Sequence, residues 1–136
     1  MNAAAEGFRG YIASRPIRDE RMPQQIQNLV IRDYATRNGF AFKLSATEYA
    51  MPGCFMMLNA VMEELSTLEG VILFSMFMLP GDQAARHAVY DQILDQHREL
   101  HAALENVSIG SRGDIARFED ILLVDQFAAT ELPEAV

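Results

Sequence analysis

Apolar residues along this chain follow two periods that take turns, and the alternation predicts a fold. "FRGYIASR" (Phe8 to Arg15) is a strand-length run of aromatic and β-branched residues. Pro23 then stands where a first helical turn tolerates proline, and Ile26, Leu29, Val30 and Tyr34 share one helical face up to the stop at Asn38-Gly39. "FAFKLSA" (Phe40 to Ala46) alternates as a second strand, with Phe40, Phe42 and Leu44 on one side. Pro52 opens a second helix through Phe55, Leu58, Val61, Met62 and Leu65. "GVILFSMFML" (Gly70 to Leu79) is apolar throughout, the mark of a central strand covered on both faces. Asp82 is the expected N-cap of a third helix with Val89, Tyr90 and Ile93 inside. "ELHAAL" (Glu99 to Leu104) is a short fourth strand, and a last helix runs from about Asp114 to Gln126.

Strands alternating with helices predict an α/β domain, with a mainly parallel four-stranded sheet flanked by helices in three layers. In such sheets ligands collect outside the carboxyl ends of the strands. Those ends are Ser14-Arg15, Ser45 to Glu48, Phe77 to Pro80 and Glu105-Asn106. No repeat, low-complexity stretch or linker divides the 136 residues, so a single domain is expected, with 1–7 and 128–136 frayed.

Composition narrows the partners. The net charge is −8 and Lys43 is the sole lysine, which argues against a phosphate-backbone partner and hence against nucleic acid. No apolar run approaches the roughly 18 residues of a membrane span, and the first ten residues lack the pattern of a secretory signal. One cysteine excludes an internal disulfide and suits a reducing cytoplasm. Neither a glycine-rich dinucleotide loop nor a Walker A loop is present, so no cofactor is expected. His97 and His101 are four apart but straddle a helix end, so no metal is expected either.

Candidate chemistry therefore gathers at the strand ends. Ser14 and Arg15, followed by Arg18 and Arg21, form the cationic cluster beside the first strand, and guanidinium forks suit phosphate or carboxylate. The competing reading is a solvated loop in which Arg18 and Arg21 pair with Asp19 and Glu20. Gln25, in the first turn of the first helix, adds an amide near free backbone N–H groups. After the second strand come Ser45, Thr47, Glu48 and Tyr49. Glu48 serves as general acid or base if burial raises its pKa, and Tyr49 donates to a ligand oxygen. Alternatively Thr47 and Glu48 cap backbone groups and Tyr49 packs on a neighbour. Cys54 is read as a small buried hydrophobe, not a nucleophile.

Two resemblances extend this reading. The Tyr-containing first strand, the glutamines of "RMPQQIQ", the Met51-Pro52-Gly53 helix entry and Glu105-Asn106-Val107-Ser108 resemble the catalytic domain of serine recombinases, from about Arg9 to Phe127. That resemblance implies a resolvase-like fold. Its catalytic residues do not carry over: Ala13 stands where the first-strand arginine belongs, Arg15 where the nucleophilic serine does, and Ser14 lies one position away. Met51 replaces the arginine before the proline, and Phe77-Met78 replace an Asp-Arg pair. Opening a phosphodiester needs arginines on the developing charge, so recombination is rejected.

The strings "GYIASRPIRDERMPQQIQNLVIRDYA" and "LSATEYAMPGCFMMLNAVMEEL" and the run from Phe74 to Pro80 resemble the sporadic carbohydrate cluster proteins of bacterial surface-sugar gene clusters. This implies a place in surface carbohydrate biosynthesis; in that context the arginine cluster after the first strand, and Tyr49 as a donor to a sugar oxygen, make a sugar phosphate or nucleotide sugar the expected ligand. Two classes remain open: a small enzyme on such a sugar, or a non-catalytic binding or scaffold subunit. The apolar residues of the last helix, Phe118, Ile121, Leu122, Val124 and Phe127, cover more than one face and predict a homodimer.

Overall fold

The computed structural model describes residues 5–131, the side chains of 129–131 excepted. It contains strand β1 (Phe8–Ala13), helix α1 (Gln24–Asn38), β2 (Phe42–Glu48), α2 (Met56–Glu63), β3 (Gly70–Leu73), α3 (Gln83–Asp95), β4 (Glu99–Ala102), β5 (Val107–Ile109) and α4 (Ile115–Glu131). The sheet order is β2-β1-β3-β4-β5, parallel except for β5. The chain leaves β1 for one side of the sheet and later fills the other. The gap between the ends of β1 and β3 is therefore the topological switch point.

Side chains alternate across β1, and this sorts the layers. Arg9 pairs with Glu64 just past α2, and Tyr11 reaches Glu48 beneath it. On the opposite face, Gly10 leaves room for Ser45, whose Oγ would lie 2.2 Å from any added Cβ. Ser45 in turn donates to Asn28 of α1 at 2.6 Å. Helix α3 packs beside α2, and α4 is tied to α3 by the Arg86–Glu119 pair. Tyr11, Ile12, Ile31, Leu65, Ile72, Leu73, Tyr90, Ile93 and Phe118 are wholly buried. Each contributes on the order of 1.5–3 kcal/mol of burial free energy.

Several expected elements hold. Gly39 takes the left-handed turn that ends α1 (φ 71°), and Asp82 caps α3 by accepting from the Ala85 N–H at 2.9 Å. Others move. The sheet has five strands, not four, because the chain turns at residues 103–106 and returns as β5. Asn106 there adopts φ 56°, a turn position that glycine would have advertised.

The second strand lies two residues further along than its alternation predicts. Phe40 stacks on Phe8 before the strand begins, and an extra residue between the Arg9 and Tyr11 pairings forms a bulge. Leu44 at that bulge is 73% exposed, so the alternation there is broken. Helix α2 starts at Met56, not Pro52, because Gly53 at φ 73° holds a turn. Cys54 thus precedes the helix. The apolar run ends as strand at Leu73, and residues 76–78 form one tight helical turn.

The frayed ends are corrected in part. The Glu6 N–H donates to Thr67 O, Gly7 is buried, and α4 continues to Glu131. Residues 1–4 and 132–136 lie outside the described residues. No helix among the described residues is long and apolar enough to cross a membrane.

Candidate functional site

Two clusters of polar side chains sit at adjacent strand ends. The first is built around Glu48. This residue is the last of β2 and wholly buried. Its carboxylate accepts from the Tyr11 hydroxyl (2.6 Å) and from the N–H groups of Leu58 (3.0 Å), Met57 (3.0 Å) and Tyr49 (3.2 Å). Met57 and Leu58 belong to the first turn of α2, whose N–H groups have no partner within the helix. The carboxylate therefore caps α2 and complements its dipole. Burial alone would raise the Glu48 pKa, but these hydrogen bonds outweigh it and hold the carboxyl below its usual range. Tyr11 is pushed far above its ordinary value by burial and by the same carboxylate.

A general acid working near neutral pH requires the opposite shift. The condition set for proton transfer by Glu48, a raised pKa, is thus not met, and the capping alternative matches the geometry for Glu48 but not for Thr47, whose side chain caps no backbone group among the described residues. Tyr49, its proposed companion, points outward and is 51% exposed. The Cys54 sulfur is 3.9 Å from Glu48 and has no histidine against it.

The second cluster lies at the switch point. Arg15 follows β1, and its Nη1 donates to the carbonyls of Cys54 (2.7 Å) and Met51 (3.1 Å). Its guanidinium lies over the Phe55 ring at 4.8 Å. Among the described residues Nε and Nη2 have no partner and no carboxylate pairs with this cation. Arg15 lines a cavity of about 350 Å³ with Ala13, Ile17, Phe55, Phe77 and Leu79. A half-buried cation on an aromatic shelf keeps donors of the kind that suit phosphate or carboxylate.

Arg18 sits at the tip of a tight hairpin closed by the Ile17–Glu20 bridge, with Arg18 and Asp19 both at positive φ (52° and 64°). From there its guanidinium crosses the Phe77 ring at 4.4 Å and pairs with Asp125 of α4. Phe77 borders three cavities: the one beside Arg15, a smaller one of about 210 Å³ beside Ser75 and Glu105, and the largest, about 480 Å³, against α4. In the smaller one Glu105 accepts from Ser75 Oγ (2.7 Å) and the Met76 N–H (2.8 Å), which fixes the turn that presents Phe77.

The remaining sequence candidates do not converge there. Ser14 Oγ donates to Glu48 O at 2.8 Å, and Ser45 faces α1. Thr47 is within β2, while Arg21 and Gln25 are exposed and line none of these cavities. Arg21 does not pair with Asp19 or Glu20 either. Sequence reasoning missed Gln27. It is wholly buried, accepts from the Ala13 N–H (3.0 Å) and donates to the carbonyls of Ala13 and Met22, locking the end of β1. It also missed Arg86, whose bidentate pair with Glu119 (2.7 and 2.9 Å) and bonds to Pro80 O and Gly81 O shape the largest cavity. Among the described residues no group of His, Cys, Asp and Glu could hold a metal ion.

No protein-family model matches the chain, and no curated protein matches it. Solved structures do. A resolvase family site-specific recombinase from Streptococcus pneumoniae superposes with a TM-score of 0.64 at 12% identity, over 90% of this chain and 91% of that one. The N-terminal catalytic domain of TP901-1 integrase superposes with a TM-score of 0.59 at 10% identity, over 92% of this chain and 99% of that one. At these identities the likeness establishes a resolvase-like fold and nothing finer.

Proposed function

We propose that the protein binds a phosphorylated or nucleotide-linked sugar at the carboxyl ends of β1 and β3, as a binding subunit of bacterial surface carbohydrate biosynthesis in the cytoplasm. The observation that carries the reading is Arg15: an unpaired guanidinium with free donors, at the switch point, lining a cavity. The carbohydrate context rests on the sequence resemblance. The saturated, ionised Glu48 favours binding over proton transfer. Recombination is no part of this reading. Ala13, Arg15 and Met51 occupy the positions a recombinase reserves for its arginine, serine and arginine, and Ser14 Oγ is tied to a backbone carbonyl.

Thermal unfolding with a panel of sugar phosphates and nucleotide sugars tests it. A ligand at a hundred times its Kd stabilises the fold by about 2.7 kcal/mol. Arg15→Gln removes a charged hydrogen-bond donor worth about 1.5–3 kcal/mol, which weakens binding about 10- to 150-fold. If no phosphate-bearing compound shifts the transition, or if Arg15→Gln binds as well as wild type, the reading is wrong.

The same proposal includes a homodimer through α4. Phe118 is buried in the core and Ile121 and Leu122 pack against it, whereas Leu123, Val124 and Phe127 are 58%, 67% and 60% exposed along the helix. Light scattering at micromolar concentration is expected to give twice the chain mass, reduced to the monomer by Leu123→Glu. A monomeric wild type refutes it.

A further inference from the structure

The Arg15 cavity and the 480 Å³ cavity against α4 share the Phe77, Leu79 and Gly81 walls, so they are two ends of one crevice. Their chemistry differs. One end holds the unpaired Arg15. The other holds the side chains of Gln83 and Asp120 with the paired carboxylates of Glu119 and Asp125. We infer that the crevice is bipartite: the phosphate of the ligand lies on Arg15, its sugar ring lies across Phe77, and the sugar hydroxyls meet Gln83 and Asp120. This rests on the anion reading above and adds the orientation of the ligand and the residues that select its sugar.

Three arguments carry it. At the α4 end Arg86 is committed to Glu119 and Arg18 to Asp125, and Asp120 adds a carboxylate with no cation paired to it among the described residues, so that end is net negative and an anion is directed to Arg15. A carboxylate accepts from hydroxyls and a carboxamide both donates and accepts, which is what a polyol requires and an anion does not. Neither Gln83 nor Asp120 bonds to another described residue through its side-chain polar atoms, so both are available. Between the ends, Leu79 and the half-buried Phe77, one face of which Arg18 already covers, supply the apolar surface that the C–H face of a sugar ring covers, the usual division of labour in small-molecule sites.

Calorimetric titration of the full chain tests this with paired probes. Inorganic phosphate is compared with the 1-phosphates of glucose, galactose, mannose and N-acetylglucosamine, and UDP with UDP-glucose. At least one sugar-bearing probe is expected to bind tenfold or more tightly than its sugarless counterpart. Asp120→Ala and Gln83→Ala, both at exposed positions, are expected to cut that advantage at least threefold, while phosphate and UDP affinities are unchanged in Gln83→Ala and no weaker in Asp120→Ala, which removes a negative charge. Arg15→Gln is expected to weaken every probe. If sugarless and sugar-bearing probes bind alike, or if the two alanine variants keep the full advantage, the bipartite site is refuted and the anion site stands. Binding of no probe at all refutes both.

Discussion

Glu48 and Arg15 stand at the ends of neighbouring strands, and the fold treats them in opposite ways. Glu48 is enclosed and accepts four hydrogen bonds from Tyr11, Tyr49, Met57 and Leu58. Arg15 is half-buried, spends one nitrogen on two carbonyls and leaves the rest of its fork open. Both read as candidate chemistry in the sequence. Saturation separates them: a charged group whose partners are all supplied by the protein holds the structure, while one with donors to spare is the one on which the proposed ligand site rests.

The largest expected effect breaks the enclosed side of this contrast. Glu48→Gln keeps the size of the side chain but replaces one acceptor oxygen by a donor that faces the N–H groups of α2. Leaving buried groups mispaired costs about 1–3 kcal/mol, more where a charged group was involved. A loss of about 3 kcal/mol is expected in urea unfolding, with any ligand affinity measured on the folded fraction unchanged. A fully stable Glu48→Gln protein would show that the carboxylate does not anchor α2.

How far this contrast could be foreseen depends on where each partner comes from. Local signals were readable: Pro23 and Gly39 bracket α1, Asp82 starts α3, and Arg15 follows a strand. The partners of Glu48 were not readable, because Tyr11 is 37 residues away and Met57 and Leu58 approach only when α2 folds back over β2. The same holds for Arg86 and Glu119, 33 residues apart, and for Gln27, an amide at the end of the first turn of α1 with no local sign of burial. The strand boundaries failed for a related reason. Phe40, Phe42 and Leu44 alternate perfectly in sequence, but the bulge opposite Gly10 turns Leu44 outward. The missing β5 is three residues long, too short for any period to register.

A smaller effect concerns acid, and it tests whether a second enclosed polar group behaves like the first. His101 on β4 lies 2.6 Å from the Tyr34 hydroxyl through Nδ1 and 2.7 Å from the Glu99 carboxylate through Nε2. The rings of Phe8, Phe40 and Tyr34 surround it. Burial lowers its pKa, against the pull of Glu99, so the imidazole stays neutral in the fold at a pH where the unfolded chain already charges it. The unfolded state then binds the extra proton, and stability falls as pH drops from the ordinary value of 6.5 towards the lower folded one. Glu48 and Glu119, both held below their ordinary 4.5, add a further loss below that pH. Unfolding free energy is expected to fall between pH 7.5 and 5.5, and His101→Gln to flatten that part of the profile. Equal stability of the wild type at both pH values would rule this out.

The smallest expected effect is on the open side of the contrast. Arg15→Gln loses the stack on Phe55 and the bonds to two carbonyls in a partly solvated place, about 1 kcal/mol of stability at most. Its effect on ligand affinity is expected to be far larger than its effect on folding, the reverse of Glu48→Gln. That reversal is the quantity to measure, since both variants alter one charged group at adjacent strand ends of the same sheet. If Arg15→Gln instead unfolds the protein as severely as Glu48→Gln, then Arg15 is a fastener for residues 51–55. Its free donors would in that case be incidental to its place in the fold.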